Sequence, residues 1–221
     1  MVCKKPLAGI IETVTLVHME RFDKYFFGTI FGLAFPFIFS LLSVVIWFYL
    51  DKSEYHFGYY LAAGLLIGIM IDSFFLKGWI KNRYILPSSL IFIFYVLYNI
   101  GVYGFFMGFP VFNSLLGLIA GYYYGKKICY ENIVGPRLVK LKKQVLMISG
   151  LIMALICVPT GLMAFEGDGV GGMIESIFGL NFHVTDLMIW GIIVFGGITL
   201  ITIQIFLTRF AMERTIKNNA R

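Results

Sequence analysis

Polar residues break this sequence in only a few places. Between the breaks lie six apolar runs, at residues 25–50, 57–80, 85–108, 111–128, 145–165 and 187–210. About 20 apolar residues in a helix cross the ~30 Å hydrocarbon core of a bilayer, so each run is long enough to span or nearly so. The runs are continuous rather than alternating, which predicts helices and not the strands of a barrel. Residues 25–210 therefore read as one all-α transmembrane domain, a six-helix bundle. Ahead of it, Leu7, Ile10, Ile11, Val14 and Val17 recur at helical spacing beside Glu12, Thr13 and Thr15. This predicts a short amphipathic helix, within residues 1–24, lying along the membrane interface. Glu12 inside the run and the lack of a small-residue cleavage site argue against a signal peptide. Residues 211–221 read as a polar tail.

Charge orients the bundle. All 18 lysines and arginines except Lys52 fall on one side: before the first run, between the second and third, between the fourth and fifth, and after the sixth. The positive-inside rule places both termini and two loops in the cytoplasm, as in a multi-pass plasma-membrane protein. The opposite side carries Asp51, Glu54, Glu166, Asp168, Glu175 and Asp186. A turn at Gly108-Phe109-Pro110 makes the third and fourth helices an antiparallel hairpin. The last outer loop is long, and its apolar stretch 173–178 could lie on the membrane.

Composition agrees with this pattern. The chain is 59% hydrophobic and 14% charged, against roughly 45–50% and 25% in soluble domains. The net charge of +6 is explained by topology and does not call for nucleic acid. Cys3, Cys129 and Cys157 form no CxxC pair and no extracytoplasmic disulfide. No cofactor and no metal site is expected, since no histidine lies in a spanning run. Nucleophile-elbow, zincin and phosphate-loop patterns are also missing.

Small residues mark the expected helix contacts. Gly117, Gly121 and Gly125 share one face of the fourth run, extended by Asn113. Gly64 and Gly68 share one face of the second, continued by Asp72, and Gly28 and Gly32 lie in the first. Glycine at this spacing lets helix backbones approach closely. Leu65-Leu66 with Gly68 through Lys77 aligns with Leu115-Leu116 and Gly117 through Lys126 after one gap, which raises the question of a duplicated hairpin. Pro36 and Pro159 interrupt the first and fifth runs and predict kinks.

Asp72 carries the strongest functional signal. A carboxylate within a spanning helix costs about 2.5–3.5 kcal/mol on insertion scales, so it must face protein or water and be paired or protonated. Matching depth along the helices gives it candidate neighbours in Tyr95, Asn99, Thr199 and Thr202, a set that could contact a substrate or ion. For the threonines, a bond to their own helix backbone is the simpler expectation. Glu166-Gly167-Asp168-Gly169 reads as a solvated loop and lacks the calcium-loop pattern. The basic segment 126–143 would meet anionic lipid or a protein partner, as would the N-terminal helix.

Three functional readings follow. The first is a small-solute or ion transporter, or the membrane-embedded substrate-binding subunit of one. The second is a non-catalytic structural or assembly subunit of a larger membrane complex. The third, with the least support, is a lipid-acting enzyme using Asp72 or Glu131.

Overall fold

A computed structural model describes residues 22–51, 53–106, 110–166 and 183–219, together with 171–172, 175–176, 179 and 181. The amphipathic segment expected at 7–17 and the acidic loop at 167–169 lie outside the described residues. The described residues are helical and contain no strand. The helices are α1 (22–32), α2 (Ala34–Leu50), α3 (Phe57–Lys81), α4 (Ser88–Phe105), α5 (Leu116–Tyr130), α6 (Pro136–Glu166) and α7 (Asp186–Asn219). Among the described residues, five stretches are long and apolar enough to cross a membrane: Phe22–Leu50, Phe57–Lys81, Ser88–Phe105, Pro136–Leu162 and Asp186–Asn219. Their outward faces are studded with large apolar side chains such as Phe74, Phe195, Phe206 and Leu155, each more than 60% exposed. Soluble proteins rarely expose contiguous apolar surface on this scale. These helices mark a membrane protein.

The fourth expected span differs from a plain transmembrane helix. Pro110–Leu115 is a 3-10 turn, and α5 proper has 15 residues. At 1.5 Å per residue it covers only about 22 Å. Two helices also extend beyond the apolar runs. The basic run 137–143 is not a loop, because α6 begins at Pro136 and carries those residues in its opening turns. The polar tail after Phe210 is helical as far as described, because α7 continues to Asn219.

The described residues divide into two compact units, one covering 22–97 and one from 98 onward. In the first, α1 and α2 pack antiparallel on α3, and glycines set the spacing. A side chain added at Gly64 would strike the Phe39 carbonyl and Ser43, and one at Gly68 would strike the backbone of Pro36. One end of the hairpin is closed by Trp47, which donates Nε1–H to the Ser53 carbonyl at 2.8 Å and stands edge-on to Phe57. The other end is an aromatic cluster. Phe27 and Phe31, 1% and 2% exposed, pack with Trp79, Tyr84 and Phe94. The Tyr84 hydroxyl donates to buried Asp23 at 2.9 Å. Burial first, and then the Asp23 charge, push the Tyr84 phenol far above its ordinary range, so it stays a donor.

In the second unit α5 and α6 both pack on α7. The glycine face of α5 lies against α7. A Cβ at Gly117 would come within 2.8 Å of Thr208 Oγ1. At Gly121 it would collide with the Thr208 carbonyl, and at Gly125 it would sit 2.7 Å from Thr215 Cβ. Beyond this contact, Ile128, Ile133, Met212 and Ile216 form a small buried core, flanked by Leu138 and Leu141 of α6. The turn from α5 to α6 closes through left-handed Asn132 and Gly135, φ 52° and 65°. Lys126 and Lys127 are buried here. Lys126 reaches Asn219 Oδ1 at 3.3 Å and lies over the Tyr122 ring, and Lys127 pairs with Glu131 at 3.7 Å. The lysine stems thus cover apolar surface while their charges are met.

Candidate functional site

Asp72 is 5% exposed, in the middle of α3. The i, i+4 row of Gly64, Gly68 and Asp72 is the only buried row of that helix among the described residues, so the carboxylate follows the face that meets α1 and α2. It arrives at a break. Helix α1 ends at Gly32, Leu33 forms a turn, and α2 starts at Ala34. Pro36 lacks the N–H that would bond the Gly32 carbonyl. Phe37 N–H does reach the Leu33 carbonyl at 3.1 Å, so the lost donor is confined to one peptide group. Asp72 Oδ2 lies 3.3 Å from the point where a Gly32 side chain would begin, with Leu76 alongside. A side chain at Gly32 would crowd the carboxylate, which would have to give by a few tenths of an ångström. Asp72 Oδ1 is buried and has no hydrogen-bond partner among the described residues. A buried acidic oxygen without a donor among the described residues can accept a proton or ligate a small cation.

The other expected site residues fall out as follows. Tyr95 belongs to the first unit and is half-buried. Asn99, Thr199 and Thr202 belong to the second. Asn99 is 1% exposed, and its backbone carbonyl and Oδ1 accept from Asn113 Nδ2 at 2.6 and 3.2 Å. That pair ties the end of α4 to the 3-10 turn. Thr199 and Thr202 are on an exposed part of α7 and donate to the Phe195 and Ile198 carbonyls at 2.7 and 2.8 Å. The simpler expectation for the threonines is the one observed.

One polar cluster was not anticipated from the sequence. Gln204 Nε2 donates to Ser149 Oγ at 3.2 Å, Ser149 Oγ lies 2.9 Å from Thr208 Oγ1, and Thr208 donates to the Gln204 carbonyl at 2.8 Å. Since Thr208 spends its proton on the carbonyl, Ser149 is the donor between the two hydroxyls. All three side chains are at most 1% exposed. The signal was present, as an amide and two hydroxyls inside otherwise apolar runs. Near the other end of α6, Thr160 Oγ1 lies 3.0 Å from the Tyr103 hydroxyl and donates to the Ile156 carbonyl. It stands beside Pro159, where an interruption was expected and where α6 instead continues as one helix. These clusters are internally satisfied and fix helices. Among the described residues, no group of histidines, cysteines and acids is placed to hold a metal ion. No family model, curated protein or solved structure matches the chain.

Proposed function

We propose that this chain is a membrane-embedded carrier of a monovalent cation or proton, alone or coupled to a small solute, or the solute-binding subunit of such a carrier. The observation that carries the reading is the buried Asp72 carboxylate, whose Oδ1 has no partner among the described residues and whose Oδ2 lies near Gly32, where α1 turns into α2. Interrupted helices at membrane depth supply backbone oxygens for ions in known transporter architectures, and intramembrane acids mark proton and ion paths. The topology we assign is six spans with both termini in the cytoplasm at the plasma membrane. In it α5 and its 3-10 turn together form the fourth crossing, and the basic ends of α5, α6 and α7 face inward. The charge asymmetry of the sequence supports this orientation.

The test is Asp72→Asn, which keeps the shape and removes the charge. Purified protein in vesicles should pass sodium, potassium or protons, the last read by an entrapped pH dye. It should also gain thermal stability from the transported ion. The variant should melt close to the wild type and lose both the flux and the ion-dependent stabilisation. A stable Asp72→Asn protein with unchanged flux would overturn the reading. The alternative, an assembly subunit, draws on one observation of its own: Tyr130, Val134 and Val139 are exposed apolar side chains at the basic end. It predicts a wild-type protein with no flux of any of the three ions.

A further inference from the structure

Between α6 and α7 lies an open groove of about 400 Å³. Its lining has two parts. Leu146 and Met147 of α6 and Ile205 of α7 are apolar. Lys142 and Lys143 precede the first two by one turn, and Arg209 follows the third by one turn. The two helices run in opposite directions, so all three cations stand at the same end, the basic one. Glu213 pairs with Arg209 through Nε at 2.9 Å, and the guanidinium has further donors at its terminal nitrogens. Three cations thus face one carboxylate. The contact beneath is tight, with Gly150 of α6 set against Ile205 and Ser149 bonded to Thr208.

We propose that this groove is a binding site for one anionic glycerophospholipid from the leaflet on the basic side. The lipid phosphate sits among Lys142, Lys143 and Arg209, and an acyl chain lies over Leu146, Met147 and Ile205. Charge complementarity selects an anion, since lysine and arginine donate strong charge-assisted hydrogen bonds to phosphate. Depth selects a lipid over a free anion. The apolar runs of these two helices, at 145–165 and 187–210, put the cations at the edge of the hydrocarbon and the apolar lining just inside it. A water-soluble phosphate would use the rim and leave the apolar half unsatisfied. This assignment does not depend on Asp72 or on transport.

The experiment is native mass spectrometry of protein extracted from vesicles of phosphatidylglycerol or of phosphatidylcholine. Wild type should retain a phosphatidylglycerol molecule through detergent and release phosphatidylcholine. Replacing Lys142, Lys143 and Arg209 with glutamine should lower that retention by about fivefold per cation. Arg137→Gln with Lys140→Gln, on the same helix but outside the groove, should leave it within twofold of wild type. If the triple variant does not fold, Lys143→Gln with Arg209→Gln replaces it, since both side chains are exposed. Three results would each overturn the proposal. One is equal loss in the two sets of variants, which means adhesion to a generally basic surface. Another is no loss in the groove variants. The third is displacement of the lipid by millimolar inorganic phosphate, which means a free-anion site.

Discussion

A hydroxyl in a helix can satisfy itself on the carbonyl one turn back, and Thr199, Thr202 and Thr208 all do so. What separates them is the second lone pair. On Thr208 it accepts from Ser149 across the α6–α7 contact, whereas Thr199 and Thr202 are exposed. Interhelical hydrogen bonds of this kind contribute about 0.6–1.7 kcal/mol in a membrane. A double-mutant cycle between Ser149→Ala and Thr208→Val should therefore give a coupling in that range, measured by unfolding in mild detergent. Additive effects would place the two hydroxyls in separate environments. The same contrast shows what a sequence offers at this scale. Polar residues inside apolar runs are visible at once, and Asp72, Asn99 and Gln204 all stand out. Which neighbour each one meets depends on helix rotation and on contacts between distant segments. Depth matching alone grouped Asp72 with Asn99, while the bond that Asn99 is seen to make comes from Asn113, on a turn.

At the scale of helices, the four-residue glycine period was legible and its partner was not. Gly117, Gly121 and Gly125 had to meet something close, and it is α7. Helix ends were the least legible feature. Hydropathy ends a span where charge begins, but backbone hydrogen bonding does not stop there. Thus α6 starts within its basic run, and α7 carries 34 residues, about 51 Å, well past the hydrocarbon. The overhang is held by Met212 and Ile216, which bury against Ile128 and Ile133. Close approach of α5 and α7 gives a direct comparison of two alanine substitutions. At Gly121 a methyl group meets the Thr208 carbonyl, and at Gly196 it meets nothing within 4 Å. Gly121→Ala should cost about 1–3 kcal/mol by overpacking. Gly196→Ala should be neutral or stabilising by about 1 kcal/mol or less, since alanine is the better helix former. Equal melting temperatures for the two variants would mean that α5 and α7 do not touch at Gly121.

For the whole molecule the open quantity is the number of crossings, and it turns on α5. Five helices are long enough to span on their own. If α5 did not cross, α6 would start from the opposite side. The basic residues 126–143 would then face outward while Lys77, Lys81 and Arg83 faced inward. The C-terminal cluster of Arg209, Arg214, Lys217 and Arg221 would face outward as well, and the acidic residues between α6 and α7 would face inward. The lysine positions argue for the crossing, because translocating a block of this charge opposes the positive-inside bias. The 3-10 turn Pro110–Leu115 adds six residues, each with a rise of about 2 Å, ahead of α5. Together the two elements cover about 34 Å, enough for the hydrocarbon thickness. Single cysteines at Ser53 and at Gly169, in a protein lacking Cys3, Cys129 and Cys157, should react with an impermeant thiol reagent on intact cells. Cysteines at Asn82 and at Val134 should react only after permeabilisation. Val134 is the deciding position, since it is exposed in the α5–α6 turn and reports on α5 alone. External labelling at Val134 together with protection at Asn82 would reduce the count to five and put the C-terminus outside.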